Sequence, residues 1–383
     1  MASAAEQLAA NFNFGSISKA KELRSRIFFT LGALIVARIG TYIPMPGIDP
    51  AALAQQINQQ GGGLLDVFNT LAGGAVNRMA VFALGIMPYI SASIIMQLMT
   101  TVFPELEALK KEGEAGRKVI NQYTRYFTVA LAMIQAYGIA MGLEHFGGQS
   151  HIVLHPGILF RVGAVITLTG GTILLMWIGE QITSRGVGNG ISLIIFAGIV
   201  ARFPSLIGQE LEQARTGATN PLLIIFFMAF AVALVGFIVF MERAQRRLFV
   251  TYPKRQVGNK IYGGDSSHLP LKLNVSGVIP PIFASSILLL PTTAASFNAQ
   301  NLPGWLQTLV AYLSRGQPLY LTFVCLIPEF LFYKYNVSFT LGGTSILIVV
   351  SVTMDTVAQI QSHLVAQQYE GLLKKSRLRG ARR

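Results

Sequence analysis

The sequence predicts an all-α, polytopic membrane protein, and three observations indicate this fold class. The chain of 383 residues is 52% hydrophobic and only 12% charged, whereas soluble domains carry about 25% charged residues. Apolar stretches of nearly membrane length follow one another along it. The basic residues cluster in alternate loops between these stretches, as the positive-inside rule requires of a chain that crosses a membrane repeatedly.

Nine apolar stretches are candidate membrane spans, because a helix needs roughly 20 apolar residues to cross a hydrocarbon core of about 30 Å. They cover residues 27–43, 79–103, 127–143, 162–179, 191–207, 222–241, 275–297, a short 319–333, and 341–354. The segment before the first stretch is polar, so we expect the first span itself to direct insertion.

The basic residues predict the orientation of the spans and reveal an inconsistency near the end. They precede the first stretch and fill the loops 104–126 and 242–274, which places these segments and the N-terminus in the cytoplasm. Two crossings after the seventh would leave the basic tail outside. A further crossing, missing between Gln317 and Leu321, would return both termini to the cytoplasm and give ten spans. We therefore expect that an internal segment with at least one span is absent.

This interpretation divides the chain into four parts. A cytoplasmic segment (1–26) precedes an N-terminal half with spans one to five (27–208). A C-terminal half with spans six to ten, incomplete near 320/321, follows (209–361), and a basic cytoplasmic tail ends the chain (362–383).

Spans two and seven resemble each other, which indicates an inverted repeat of five crossings. Each has proline in an apolar segment, followed by small residues and serines. Proline loosens a helix and serine can bind the freed carbonyls, so we expect these helices to bend or separate. The residues concerned are Pro88, Ser91, Ser93, Pro280, Pro281, Ser285 and Ser286.

The external segment between the first two spans contains a short, half-apolar run bordered by glycines. It is too short to cross a membrane, and glycine hinges would allow it to fold back into the protein. An interfacial helix is the alternative. The run consists of Leu64, Leu65, Asp66, Val67, Phe68, Asn69, Thr70, Leu71, Ala72, Gly73 and Gly74.

The loop between spans six and seven carries more basic residues than orientation alone requires, although orientation is the simpler explanation. Tyr252-Pro253 and Gly263-Gly264 predict turns that delimit a hairpin. We expect this hairpin to be a docking surface. Its basic residues are Arg243, Arg246, Arg247, Lys254, Arg255 and Lys260.

Other function classes find little support in the sequence. There is no protease, hydrolase or nucleotide-binding motif, and one cysteine, Cys325, supports neither an internal disulfide nor a thiolate metal site. A secondary transporter for small solutes is the alternative to a channel. Such transporters bring ionisable residues to mid-depth, whereas the few charges here, among them Arg38, lie mostly near span ends.

Several motifs resemble the SecY family of protein-conducting channels over essentially the whole chain. They include GIMPYISASIIMQ at residues 85–97, IPMPGID at 43–49, RGVGNGIS at 185–192, and QYEG at 368–371. The departure from the family lies near 320/321, where most of span eight, the following cytoplasmic loop and the start of span nine are absent.

The resemblance implies a clam-shell of ten helices in two inverted halves around an hourglass pore. Residues 64–74 would form a plug, and the proline and serine segments of spans two and seven would border a lateral gate. Taken singly, each pore isoleucine is also compatible with ordinary packing. The implied pore ring consists of Ile86, Ile90, Ile191, Ile195, Ile282 and Ile348.

The resemblance also implies the function. The chain would be a channel, not an enzyme, and would use no cofactor. It would pass unfolded secretory proteins across the bacterial inner membrane and release apolar segments into its lipids. Energy would come from the SecA motor or a translating ribosome. Further implied partners are SecE, SecG, signal peptides, nascent chains, SecDF and YidC.

Overall fold

The structure is a computed structural model, and it describes residues 21–49, 52–53, 69, 72–146, 152–217, 221–251, 255–257, 260–262, 266–272 and 343–380. These residues form mainly helices, together with four short strands. The helices are α1 (Lys21–Gly40), α2 (Met87–Val102), α3 (Pro104–Lys111), α4 (Glu114–Phe146), α5 (Ile158–Arg185), α6 (Gly190–Val200), α7 (Phe203–Arg215), α8 (Pro221–Arg243) and α9 (Gly343–Gly380).

The predicted membrane helix bundle is confirmed for the described residues. Five helical segments there are long and apolar enough to cross a membrane, namely Glu114–Glu144, Ile158–Arg185, Gly190–Arg215, Ile224–Arg243 and Ser345–Leu364. α2 is apolar but shorter, with 16 residues. α4 has 33 residues and is about 50 Å long at 1.5 Å per residue, so it extends beyond the hydrocarbon core.

The hydropathy pattern predicts some spans well and others poorly. The stretches 127–143, 162–179 and 222–241 lie inside α4, α5 and α8. The stretches 275–297 and 319–333 lie outside the described residues.

The second predicted span is wrong in its first part. Residues 72–86 form turns rather than helix, and α2 begins only at Met87. Pro88 therefore occupies the first turn of the helix, where its missing N–H leaves no intrahelical bond unmade. It starts α2 instead of bending it, contrary to our expectation of a proline inside this helix.

The fifth predicted span, 191–207, lies within the membrane-length segment Gly190–Arg215, but that segment consists of two helices. α6 ends at Val200, and the chain enters α7 at Phe203 with Pro204 in the first helical turn. Helices run across the predicted boundaries 26/27, 208/209 and 361/362, within α1, α7 and α9. The division of the chain into two halves and two flanking segments stays a prediction.

The basic loop after α8 contains the four strands. β1 (Gln245–Thr251) pairs antiparallel with β4 (Ser266–Lys272), and the shorter β2 (Arg255–Val257) pairs with β3 (Lys260–Tyr262). The ring of Phe249 meets that of His268 edge-on, with 5.4 Å between centroids. The expected hairpin is thus present, so the chain is all-α in its described membrane helices but not in this loop.

Ion pairs join α4 and α5 near both ends of their contact. Arg125 and Glu180 lie 2.7 Å apart at one end, and Arg161 and Glu144 lie 2.6 Å apart at the other. Glu144 also accepts a hydrogen bond from the backbone N–H of Gly157 at 3.0 Å. Between the two pairs, α4 presents fully buried alanines at positions 132, 136 and 140, and such small residues allow close packing of membrane helices.

We predict that Glu144→Gln destabilises the protein by about 1–3 kcal/mol, because the largely buried Glu144 carboxylate loses the charge that strengthens its hydrogen bonds with Arg161 and Gly157. The side chain of Glu144 is only 8% exposed. Thermal unfolding in detergent should show a lower midpoint temperature. Glu107→Gln is the matched control, since the pair that Glu107 makes with Lys111 is exposed and contributes little to stability. Equal shifts in both variants would contradict the prediction.

Candidate functional site

Five of the six predicted ring isoleucines meet in one hydrophobic cluster. Ile86, Ile90, Ile195 and Ile348 are buried members of it, with at most 6% exposure, and Ile191 packs against it. They come from the beginning of α2, from α6 and from α9. The sixth predicted member, Ile282, lies outside the described residues. The structure thus brings together side chains that are up to 262 positions apart in the sequence.

Local helix geometry explains why the isoleucines come in pairs. The backbone carbonyl of Ile86 accepts hydrogen bonds from the N–H groups of Tyr89, at 3.0 Å, and of Ile90, at 3.1 Å. Ile86 and Ile90 therefore lie one turn apart on the same face of α2. Ile191 and Ile195 have the same spacing on α6. α2 and α6 therefore each contribute two isoleucines, one helical turn apart, to the cluster.

The turn between α5 and α6, residues 186–190, determines where α6 begins. Three of its backbone N–H groups donate to side chains of three different helices. Val187 donates to Thr30 Oγ1 of α1 at 3.0 Å, Gly188 to Gln359 Oε1 of α9 at 3.0 Å, and Gly190 to Thr183 Oγ1 of α5 at 2.9 Å. The turn thereby links the first and last described helices.

The same turn requires glycine and asparagine at particular positions. A Cβ atom at Gly190 would overlap the carbonyl oxygen of Gly179, so only glycine permits this approach of α5 and α6. Asn189 precedes α6, and its Oδ1 accepts from the N–H groups of Ile191, at 3.1 Å, and Ser192, at 3.5 Å. A side-chain oxygen at this position satisfies donors that the helix cannot pair itself. These contacts explain why the motif RGVGNGIS has asparagine at position 189 and glycine at position 190.

A pocket of about 550 Å³, part of it open to solvent, lies beside the cluster. Its walls come from α1, from the residues before α2, from α5 and from α6, and Ile86 and Ile195 of the predicted ring contribute to them. Ala72, at the end of the predicted plug, also lines the pocket, and so does Arg38. The ring cluster and the end of the plug segment are therefore neighbours.

The end of the predicted plug forms a tight turn. Gly74 donates its N–H to the carbonyl of Asn69 at 2.7 Å, and Asn77 donates to Asn69 Oδ1 at 3.1 Å. Asn69 is 1% exposed. Gly73 accepts a hydrogen bond from Arg38 Nη1 at 3.0 Å. Of the other plug residues, Leu64–Phe68, Thr70 and Leu71 lie outside the described part of the chain.

The predicted gate residues are described only on α2. Pro88 and Ser91 are buried, and Ser93 is partly exposed. Pro280, Pro281, Ser285 and Ser286 lie outside the described residues, so the contact between spans two and seven stays a prediction.

The predicted docking residues lie at the end of α8 and along the hairpin. Arg243, Arg246 and Arg247 are exposed. In β1, Arg246 is opposite Leu271 and Arg247 is opposite Pro270. Successive side chains of a strand point to opposite faces, so the two arginines present charge on both faces of the hairpin. Arg255 begins β2 and Lys260 begins β3, and Lys254 lies outside the described residues.

Sequence reasoning missed the residues that support this site. Thr30 and Gln359 were not singled out, because one polar residue in a helix gives no signal of a partner more than 150 positions away. Arg38 was noted only as a charge within a span. A charged residue in an otherwise apolar stretch was the available signal. However, Arg38 donates its hydrogen bond to the backbone carbonyl of Gly73, and a sequence does not reveal a backbone partner.

Known proteins resemble this chain in sequence and fold. The SecY family model matches residues 80–315. The protein translocase subunit SecY of Vibrio cholerae is 46% identical over 426 positions, covering 94% of this chain and 96% of that protein. The SecY subunit of Rickettsia typhi is 47% identical, with 96% and 99% coverage.

Two solved structures show the same fold at low sequence identity. One, described as a study of how the SecY plug domain stabilises the closed channel, has a TM-score of 0.56 at 14% identity and covers 88% of this chain and 92% of that chain. The other is Sec61 in a canine ribosome-channel complex, with a TM-score of 0.50 at 15% identity and coverage of 88% and 92%.

The lengths of these matches support the expectation of an absent internal segment. The alignment with the Vibrio cholerae protein has more positions than this chain has residues, which requires gaps in this chain. The family match ends at residue 315, just before the predicted junction between Gln317 and Leu321. Given sequence identity near one half over almost the entire length, the chain belongs to the SecY family.

Proposed function

We propose that this chain forms the protein-conducting channel of a bacterial translocon. It passes unfolded secretory proteins across the inner membrane and releases apolar segments sideways into its lipids. The observation that carries the proposal is the meeting of five predicted ring isoleucines in one buried cluster, in a chain of the SecY family. This family assignment favours a channel over a secondary transporter or an enzyme.

A ring of isoleucines suits a channel for many different polypeptides. Branched aliphatic side chains offer a passing chain no hydrogen-bond partner, so they bind no particular sequence. They close the pore by shape, and an apolar constriction excludes water by dewetting. The buried state of Ile86, Ile90, Ile195 and Ile348 is the arrangement that a closed ring requires. Ile282 of the predicted span seven would complete it.

The plug and the gate complete the proposed mechanism. The proposed plug, residues 64–74, would seal the pore from the outer side. This is supported by Ala72, near its end, which lines the same pocket as Ile86 and Ile195. The lateral gate would open where α2, with Pro88, Ser91 and Ser93, separates from the span that contains Pro280, Pro281, Ser285 and Ser286. A signal peptide would shift this equilibrium by binding the open state more tightly.

The proposed partners follow from the family and from the charged loops. SecE and SecG would accompany the chain, with SecDF and YidC as further partners, and both termini would lie in the cytoplasm. The sequence contains no nucleotide-binding motif, so SecA or a translating ribosome would supply the energy. The exposed arginines Arg243, Arg246 and Arg247 support contact with ribosomal RNA, because phosphate groups attract such clusters.

We predict that Ile86→Ser and Ile348→Ser each make the resting channel leak ions, because a small polar side chain widens and wets the constriction. The corresponding leucine variants should keep the seal, since they conserve volume. The measurement is ion conductance of the assembled translocon in vesicles. Both variants should also improve export of a preprotein with a defective signal peptide.

Ile178→Ser is the matched control for the ring. Ile178 is 4% exposed and belongs to the same cluster, but it lies on α5 and is not a predicted ring member. It should lower stability without raising resting conductance. Leakage that is equal in all three serine variants would show that general loosening, and not loss of the ring, opens the channel.

We predict that reversing Arg246 and Arg247 to glutamate weakens ribosome binding without affecting membrane insertion. Each lost phosphate contact should reduce the slope of log affinity against log salt by about one unit or less. Binding to vesicles should be measured over a range of salt concentrations. Arg215→Glu is the control, because Arg215 is equally exposed at the end of α7, on the predicted outer side. Unchanged affinity in the double variant would contradict a docking role.

A further inference from the structure

Arg38 is a cation in an apolar helix, and the orientation of the chain does not account for it. α1 begins in the predicted cytoplasm, so Arg38, in its last turn, lies near the outer side, where the positive-inside rule disfavours basic residues. Ionisable residues at such positions are costly unless they are paired or face water. Arg38 is partly buried and lines the pocket beside the ring, which calls for a local role.

The guanidinium of Arg38 binds the end of the plug. Its Nη1 donates a hydrogen bond of 3.0 Å to the carbonyl of Gly73. The guanidinium carbon also lies 5.7 Å from the centroid of the Tyr42 ring, close enough for a cation–π attraction. Tyr42 lies two residues beyond the end of α1, and its ring also carries the guanidinium of Arg78, at 4.1 Å from the centroid.

The position of Gly73 is fixed from two sides. Its φ of +66° is one that other residues rarely adopt. A Cβ atom there would overlap the Arg38 guanidinium and would lie 2.9 Å from the Cα of Gly198 on α6. The backbone at Gly73 therefore fits between α1 and α6 only because this residue has no side chain. The turn at Asn69 and Gly74 holds this carbonyl in place from the plug side.

We propose that Arg38 is a positioning residue that holds the end of the plug in the closed channel. The inference rests on the proposed channel function and deepens it. The charge-assisted hydrogen bond to Gly73 exists only when the plug is in place, so it stabilises the closed state over the displaced one. α1 can act as a fixed support, because Thr30 joins it to the turn before α6.

The chemistry of arginine suits a contact that must break reversibly. The guanidinium presents several N–H donors in a planar fork, and one of them is enough to bond the Gly73 carbonyl. When the plug moves away, the pore fills with water and the exposed cation becomes hydrated. The closed state therefore gains one favourable hydrogen bond, while the open state avoids an unpaired buried charge.

Arg38→Gln should lower the ratio of closed to displaced plug by roughly tenfold or more, as expected for loss of a hydrogen bond to a charged group. Arg38→Lys should fall between this variant and the parent, since it keeps the charge without the planar fork. The direct readout is the labelling rate of a cysteine at Ala72, in a Cys325→Ser background, by a thiol reagent that cannot cross membranes. Ala72 is partly buried, and displacement of the plug would expose it.

The experiment uses the full channel complex in vesicles, with reagent on the outer side. Labelling and resting conductance should both rise in Arg38→Gln. Arg161→Gln is the matched control, because it removes another arginine near the predicted outer side whose partner is Glu144 and not the plug. This control should lower the melting temperature but leave labelling unchanged.

Two results would overturn the proposal. One is an unchanged labelling rate in Arg38→Gln, and the other is an equal increase in Arg161→Gln, which would indicate general loosening. The labelling assay does not depend on the ring or on transport. If Ile86→Ser and Ile348→Ser fail to leak while Arg38→Gln raises labelling, the ring assignment fails and the role of Arg38 stands. If they leak while labelling is unchanged, only the role of Arg38 fails.

Discussion

The backbone of the turn at residues 186–190 is the constraint on which the arrangement of the described helices depends. Its N–H groups find acceptors on Thr30, Thr183 and Gln359, so three helices converge on five residues. Irregular backbone within or beside a membrane is tolerated only when other groups of the protein satisfy it. The first and last described helices are therefore held where their side chains can reach the turn.

This constraint also bears on where the isoleucines of the predicted ring meet. Ile195 lies five residues beyond Gly190, the first residue of α6, which is about 8 Å of helix. Ile348 lies eleven residues before Gln359 along α9, which is about 16 Å. Both distances start at the same turn, because Gln359 accepts the hydrogen bond of Gly188. Side chains from distant parts of the chain thus extend from one shared contact into the same cluster, where Ile86 and Ile90 of α2 join them.

The sequence predicts this fold where hydropathy alone decides and fails where backbone geometry decides. The helices α4, α5 and α8 follow from continuous apolar runs. The start of α2 does not, because the turn residues before Pro88 are as apolar as the helix itself. The break after α6 comes at Ala201 and Arg202, inside a stretch whose average hydropathy predicts one continuous span. Gly85, with a φ of +58°, shows that the chain before α2 has left helical geometry, and an apolar sequence carries no sign of this.

For the candidate site, the sequence predicts which isoleucines share a helix face but not which helices meet. Spacing places Ile86 with Ile90 and Ile191 with Ile195 on common helix faces, but only the family motif links them with Ile348. The contacts that support the site were not predictable, because they join single polar side chains to backbone atoms. Arg38 and Gly73, for example, are 35 positions apart, and neither residue type identifies the other.

A closed channel that must open for a signal peptide cannot rely on a large closing energy. Burial of one large apolar side chain is worth about 1.5–3 kcal/mol, so a signal segment that buries a few such residues can supply only several kcal/mol to opening. The seal must therefore consist of contributions of similar size. The proposed ring, closed by shape, and the proposed plug, held at Gly73 by one hydrogen bond, would meet this condition. Each could be broken separately at a cost that a single apolar segment can offset.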